Sequence, residues 1–412
     1  MIDLHDLQEA RWFAGKHRRV AAVAEVGAFG AGGALTLAEV TYGDGGAAER
    51  YLLLSDGLCW GALLGALREA PFIGPAGRIE LRATPALATL SPATGAPEHV
   101  PSTDQSNTLV VVDERLLIKA YRKLEAGIHP EIELGAALAG TSAPVPTHAG
   151  SLHHIAPDGS DTAIALLQEF VGGAVSGWEA PIEATAAHLH DGDHALDPYA
   201  AAGTAAASLH AALRHRFGTH PAPANTGTTW RAVAEAALDE AAALDPDAAA
   251  AAPAIRRRLA ALDHATATPL HRIHGDLHFA QLLRTPARTL IIDLEGDPTA
   301  PLAARRAPDT PLRDLAALLR SIDHIGTAAA RRAPGTDPTT FIAVATAAAC
   351  DAYEHRAGAP VDRPLLAALE LAAECRELVY AHRTVPEWAY APRAGLRRLL
   401  QEPQEPEERP AP

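Results

Sequence analysis

Apolar and polar positions change period along this chain, and the changes mark out its elements. Over residues 18–54 apolar runs alternate with Gly-rich stretches ("RRVAAVAEV", "GAFGAGG", "ALTLAEVTY", "GDGG", "AERYLLL"), which predicts a β-meander. "LCWGALLGALREA" (58–70) has helical spacing, and "GRIELRAT" (77–84) reads as a further strand. The Pro/Gly-rich "PATGAPEHVP" (92–101) predicts a boundary, so 1–100 is expected to form an N-terminal α/β cap subdomain.

"NTLVVV" (107–112) and "RLLIKAY" (115–121), joined by "DE", predict an apolar hairpin. "HPEIELGAALAG" (129–140) predicts a helix with Pro130 near its start and Gly140 at its end. "TAIALLQEFV" (162–171) reads as a strand running into "GGAVSGWE", so 101–175 forms a sheet-bearing segment with a hinge. Residues 176–400 are mostly helical, over 179–217, 228–264, 312–333, 339–356 and 363–384, interrupted by a hairpin-like pair, "AQLLRT" and "TLIIDLE". The Pro/Glu-rich 401–412 reads as a disordered tail. The class is α+β.

Composition narrows the function. The 412 residues are 48% hydrophobic, enough for a large core in two or three domains. The net charge of −15, with no basic stripe, argues against a nucleic-acid partner. Cys59, Cys350 and Cys375 are scattered without CxxC spacing, so neither a disulfide frame nor a zinc site is expected. "MIDLHDLQEARWF" lacks a signal peptide's apolar core, and no run approaches a membrane span, so a cytoplasmic chain without a membrane partner is expected. The only lysines are Lys16, Lys119 and Lys123. Arg therefore serves solvation, and Lys119 at the end of the apolar run "RLLIK" stands out.

The densest polar chemistry is "HRIHGDLHFAQLL" (271–283), followed by "LIIDLEGDP" (290–298) with Asp293, Glu295 and Asp297. Phosphoryl transfer needs a base for the acceptor hydroxyl, oxygen ligands for Mg²⁺ and a cation on the nucleotide phosphates. Asp276, the oxygens of Gln281 and Asp293, and Lys119 meet those needs, with Glu131 or Glu133 to pair the lysine. Asp293 ends an apolar strand, where a carboxylate is costly without a metal or partner.

Other readings fare worse. "GDLH" resembles one metallophosphoesterase element, but the "GNH" block such sites need is missing. "HLHDGDH" (188–194) offers His188, His190 and His194, and reads better as a polar loop with a helix cap than as zinc ligands. "GAFGAGG" has no helix after it and reads as a hairpin turn, not a phosphate loop. "TDQSNT" (103–108), upstream of Lys119, is the better phosphate loop.

With these residues assembled, the chain resembles the aminoglycoside-phosphotransferase-like kinases, in their bacterial maltokinase-like branch. "RWFAGKHR" (11–18) resembles that branch's N-terminal cap, "DQSNT" (104–108) its phosphate loop, and "LLIKAYRKLEAGIHPEIEL" (116–134) its lysine strand and glutamate helix. "LLQEFVGGAVSGWE" resembles its hinge, and "GTAAASLHAAL" the helix before the catalytic lobe. "HGDLHFAQLLR", "IIDLEGDPTAPLAARR" and "TPLRDLAALLRSIDH" are the most specific matches.

The resemblance implies a protein-kinase-like bilobal fold and an ATP- and Mg²⁺-dependent sugar kinase. It implies Asp276 as base, Gln281 and Asp293 as Mg²⁺ ligands, and Glu295 as a further one. It implies Lys119 paired to Glu133 on the α/β-phosphates, adenine on the hinge backbone near Glu169 and Val171, and Ser106, Asn107 and Thr108 on phosphates.

"ECRELVYAHRTVPEWAYAP" (374–392) is more similar to the related bacterial glucosamine kinases than to maltokinases. Glu374 and Glu377 share a helical face. With Asp297 and Asp309 they are expected to surround an ammonium group, with His278 and Arg313 also on the substrate side. Tyr380, Trp388 and Tyr390 are aromatics able to stack on a sugar. Glucosamine, phosphorylated at the 6-hydroxyl, is the expected acceptor; maltose at its anomeric hydroxyl and aminoglycosides are the alternatives. A non-catalytic nucleotide or sugar sensor is the competing class, and the complete set of Lys119, Asp276, Gln281 and Asp293 argues against it.

Overall fold

The computed structural model describes residues 4–10, 12–92, 95–101, 107–190, 192 and 195–401, and the chain divides into two compact units. The first comprises 1–141, 145–173 and 298–305; the second comprises 142–144, 174–297 and 306–412.

Two antiparallel sheets build the first unit. Val20–Phe29, Leu35–Tyr42 and Glu49–Leu54 form the predicted meander, and Lys123–Leu124 adds a short fourth strand. The glycine-rich stretch is its first turn, with Gly30, Gly32 and Gly33 at positive φ. The second sheet has seven strands in the order Phe72–Gly74, Gly77–Ala83, His148–Ile155, Asp161–Glu169, Leu116–Ala120, Thr108–Val112 and Glu98–His99.

The boundary expected near residue 100 is therefore no break between sheets. Gly77–Ala83 pairs with His148–Ile155, and Glu98–His99 pairs with Thr108–Val112. Pro and Gly mark a connection there, and long-range pairing closes one sheet across it. His148–Ile155 has no counterpart in the hydrophobic pattern. "HAGSLHHI" is buried at every position, so it shows no period of two; three of its polar side chains are bonded within the sheet region, Ser151 to His153 at 2.9 Å, His153 to Asp161 at 2.7 Å and His154 to the Ala76 carbonyl at 2.8 Å, while His148 Nδ1 has no hydrogen-bond partner among the described residues.

Short elements were legible where turn chemistry was strong. Asp113 and Glu114, both at positive φ, join Thr108–Val112 to Leu116–Ala120. Pro130–Leu138 forms the predicted helix, with its proline in the first turn, and packs on His148–Ile155.

Helices dominate the second unit: Glu179–His188, Asp197–Phe217, Thr226–Leu244, Pro246–Leu259, Pro311–Arg332, Thr339–Ala357, Arg363–Thr384 and Tyr390–Gln401. Val175–Ser176, Leu282–Arg284 and Thr289–Ile291 make its small sheet. Pro311–Arg332 is the central helix; it packs on Arg363–Thr384, Glu179–His188, Thr339–Ala357 and Tyr390–Gln401. Its Leu315, Leu318, Ile322 and Ile325 are fully buried, at about 1.5–3 kcal/mol each. Tyr390–Gln401, which the pattern did not predict, is held by Arg398 on Asp323 and Arg393 on Asp245. The expected tail beyond Gln401 lies outside the described residues.

Candidate active site

In the first unit, Leu116–Ala120 carries Lys119, 8% exposed, into the sheet's buried face. Such an ammonium needs a partner. Glu131 supplies it: Nζ lies 2.9 Å from Oε2, which also accepts a 2.9 Å bond from the Tyr121 hydroxyl. This corrects the expected Lys119–Glu133 pairing. Glu131 opens Pro130–Leu138 and faces the sheet, 3% exposed. Glu133 follows two residues later, about 200° further round the helix.

A second correction concerns Thr108. It stands opposite Ala120, while Lys119 stands opposite Leu109. Alternation puts the Thr108 side chain on the face away from Lys119. There its Oγ1 accepts a 2.8 Å bond from Arg122 Nε. Asn107 is half-buried beside it, and Ser106 lies outside the described residues. At the hinge, Glu169 closes its strand with backbone N–H donation to Thr147 O (2.9 Å), and its carboxylate accepts from Thr147 N and Oγ1 at 3.1 and 2.9 Å. Val171 follows just past that strand end.

In the second unit, the 274–281 turn and the 293–297 turn meet at two glycines. Gly275, at φ +87°, would place a Cβ 3.3 Å from the Gly296 Cα, and both glycines need the left-handed region. Asp314, fully buried on the central helix, anchors the turn: its carboxylate accepts from His274 N at 2.7 Å, Gly275 N at 2.8 Å and His210 Nε2 at 2.9 Å. Burial opposes that charge, but these bonds outweigh it and hold the Asp314 pKa below its usual value. His274 Nε2 donates to Ile292 O (3.0 Å) and Nδ1 accepts from Asp276 N (3.2 Å), which fixes the ring's tautomer and ties both turns together. The sequence carried no signal for the role of Asp314 beyond its place in "TPLRDL".

Asp276 sits at the turn's tip, half-buried. Burial raises its pKa, the Arg320 cation pulls it back, and the Asp297 and Asp293 carboxylates raise it again, to about 7. His278 Nε2 lies 3.8 Å from Asp276 Oδ2, beyond a hydrogen bond. Burial, then Arg320, depresses the His278 pKa to about 4, so its ring is neutral near pH 7. Gln281 Nε2 is 3.2 Å from Asp293 Oδ2 and 3.4 Å from His278 Nε2. Asp293 has φ +64°, an uncommon conformation that Asp tolerates better than most residues. An amide and a carboxylate of this kind are hard oxygen donors and suit Mg²⁺, once the Gln281 amide turns its oxygen toward Asp293. Glu295 is half-buried in the same turn, and Asp297 is exposed at its end.

Arg320, missed in the sequence, is a cation of this region; its Nη1 pairs with Glu377 at 3.2 Å. The expected acidic ring around an ammonium group is not found as drawn. Glu374 is 1% exposed and hydrogen-bonded to His324 at 3.0 Å. Burial drives the Glu374 pKa well above, and the His324 pKa to about 3, so both are neutral. Three residues along a helix displace a side chain by about 60°, enough to separate the core position of Glu374 from the Arg320-paired Glu377. The Asp309 carboxylate is held by Arg313 at 2.8 Å and Thr310 N at 2.7 Å; Arg313 also lies 5.1 Å over the Trp230 ring. Trp388 packs with Trp178, His324 and Tyr390 in an aromatic cluster, and Tyr380 is 51% exposed. His188 bonds the Ala184 carbonyl at 2.8 Å as a helix-end residue, and His194 lies outside the described residues.

No family model matches the chain. A glucosamine kinase from Streptacidiphilus jiangxiensis is 33% identical over 320 residues, covering 73% of this chain and 72% of that protein. The chain belongs to the glucosamine kinase family. A second glucosamine kinase, from Mycolicibacterium smegmatis (strain ATCC 700084 / mc(2)155), is 29% identical over 318 residues, covering 73% and 78%. Among solved structures, a glucosamine kinase in crystal form B gives a TM-score of 0.73 at 27% identity, covering 96% of this chain and 97% of that one. A glucosamine kinase in complex with glucosamine, ADP and inorganic phosphate gives 0.70 at 26% identity, covering 97% and 99%. The fold is thus the α+β kinase-like fold that the motifs implied. Among the described residues no helix is long and apolar enough to cross a membrane.

Proposed function

We propose that this member of the glucosamine kinase family transfers the γ-phosphoryl group of ATP to the 6-hydroxyl of glucosamine, with Mg²⁺ as cofactor. The observation that carries the reading is the placement of Asp276, at the tip of a turn whose backbone is fixed by Asp314 and close to the Asp293 and Asp297 carboxylates, with its pKa raised by burial. Such a group accepts the hydroxyl proton as the oxygen attacks. Lys119, held by Glu131, binds nucleotide phosphates, and the hinge backbone at Glu169 and Val171 receives the adenine. Gln281 and Asp293 would hold Mg²⁺, which supplies charge neutralisation on the phosphates when bound. Asp297, exposed at the end of the second turn, and Glu377, beside Arg320, would meet the sugar's ammonium group.

An ADP-release assay with Mg²⁺ against glucosamine, glucose, maltose and one aminoglycoside tests this. Preference for glucosamine over glucose is expected, with transfer lost in D276A. Activity on maltose alone would reject the acceptor assignment. Equal ATP binding by wild type and D276A, with no transfer by either, would make the protein a nucleotide sensor.

A further inference from the structure

The carboxylate that anchors the 274–276 turn is itself held from the far side of the core. Asp314 Oδ2 accepts from His274 N at 2.7 Å and from His210 Nε2 at 2.9 Å, while Oδ1 accepts from Gly275 N at 2.8 Å. His210 is buried on Asp197–Phe217, and its Nδ1 lies 2.9 Å from the hydroxyl of Tyr353, buried on Thr339–Ala357. These two helices approach closely, for a Cβ on Gly203 would collide with the Ala349 carbonyl. The His210 ring also meets the His271 ring edge-on, 5.6 Å between centroids, on the segment that leads into the turn.

A carboxylate only accepts, so His210 Nε2 carries the hydrogen of its bond to Asp314. In that tautomer Nδ1 is bare, and the Tyr353 hydroxyl donates to it. Tyr353 thus selects the tautomer that Asp314 needs. Both amides gripped by Asp314 lie within two residues of Asp276, whose own N–H donates to His274 Nδ1 at 3.2 Å. An apolar ring in place of His210 would fill the same space and leave a buried carboxylate short of a donor. Such a carboxylate turns away or takes up a proton, and either change loosens its hold on the turn.

We propose that His210 is a positioning residue for phosphoryl transfer: through Asp314 it fixes the backbone that carries Asp276, and Tyr353 holds its ring in the donating tautomer. This rests on the reading of Asp276 as the base.

Two amides of different reach test it. The Gln amide reaches where Nε2 stood and still donates to Asp314. The Asn amide reaches only where Nδ1 stood and keeps Tyr353 instead. Steady-state kinetics of wild type, H210Q, H210N and Y353F are measured together with hydrogen exchange over residues 271–279. H210N should lower kcat about 30-fold, with the ATP and glucosamine KM values within about twofold and faster exchange at 274–276. H210Q should keep kcat within about threefold of wild type, and Y353F should lower it about fivefold. Spectra of ¹⁵N-histidine protein, with the His210 signals identified by their loss in H210Q, should show the ring hydrogen on Nε2. Equal kcat losses in H210Q and H210N overturn the inference, because packing alone does not tell the two amides apart. So does a ring hydrogen on Nδ1, and so do KM values that rise in H210N while kcat holds. If H210N fails to fold, Y353F decides, and an unchanged kcat there overturns the inference. Wild type that leaves glucosamine unphosphorylated rejects the proposed function alone. Exchange at 274–276 then decides the inference, and equal rates in wild type, H210Q and H210N overturn it.

Discussion

At Asp276, burial raises the carboxyl pKa and the Asp297 and Asp293 charges add to it, against Arg320. In the proposed reaction the deprotonated form acts as the base. Turnover should therefore fall as pH drops below about 7 and level off above it, with bound Mg²⁺ shifting that limb to lower pH. A pH–rate profile rising below pH 6 would contradict the base role. D276N should lower kcat about 10³-fold with nucleotide affinity nearly unchanged. The Lys119 pairing yields a contrast between two glutamates. E131Q should weaken ATP binding by about tenfold or more, because it uncouples a buried ammonium, while E133Q should change it by less than about threefold; a titration of each variant with ATP ranks them. Glu374 belongs to the core and not to the sugar. Its folded pKa is raised, so its cost to stability grows as pH rises from the ordinary carboxyl range toward the folded value. E374Q should flatten that dependence in unfolding experiments and leave the glucosamine KM unchanged.

Elements turn these residues into a site. The central helix Pro311–Arg332 presents Asp314 to the backbone of the 274–275 turn and Arg320 to Asp276, less than two turns of helix apart. D314A removes a buried carboxylate that satisfies two backbone N–H groups and His210, and should cost about 3 kcal/mol along with nearly all transfer. Chemical denaturation separates the two losses, and a variant stable to within about 0.5 kcal/mol of wild type would show that the turn stands without its anchor. Helix and hairpin patterns were readable where turn or helix-start residues framed an apolar run, as in Pro130–Leu138 and the Thr108–Val112 hairpin. They failed for His148–Ile155, buried on both faces. They failed also for Tyr390–Gln401, which is stapled down by Arg393 and Arg398 on distant Asp245 and Asp323.

Across the whole molecule, ligand binding should register as stability. MgADP at about 100 times its dissociation constant adds about 2.7 kcal/mol to whatever binds it in the native state. The unfolding midpoint should rise with MgADP and rise much less with ADP plus a chelator; equal shifts would argue that Gln281 and Asp293 hold no metal. The sequence by itself determined which residues are candidates for the chemistry: Asp276, Gln281, Asp293 and Lys119 stand in motifs whose residue types and order point to phosphoryl transfer, and the local periods specify most of the helices and strands. Tertiary structure decided what depends on residues distant in the chain. It paired Lys119 with Glu131, turned Thr108 toward Arg122, buried and neutralised Glu374, brought Arg320 and Asp314 to the Asp276 turn, and joined strands from both sides of residue 100 into one sheet. Each is set by which face of an element meets which neighbour, and a local sequence pattern fixes the face without naming the neighbour.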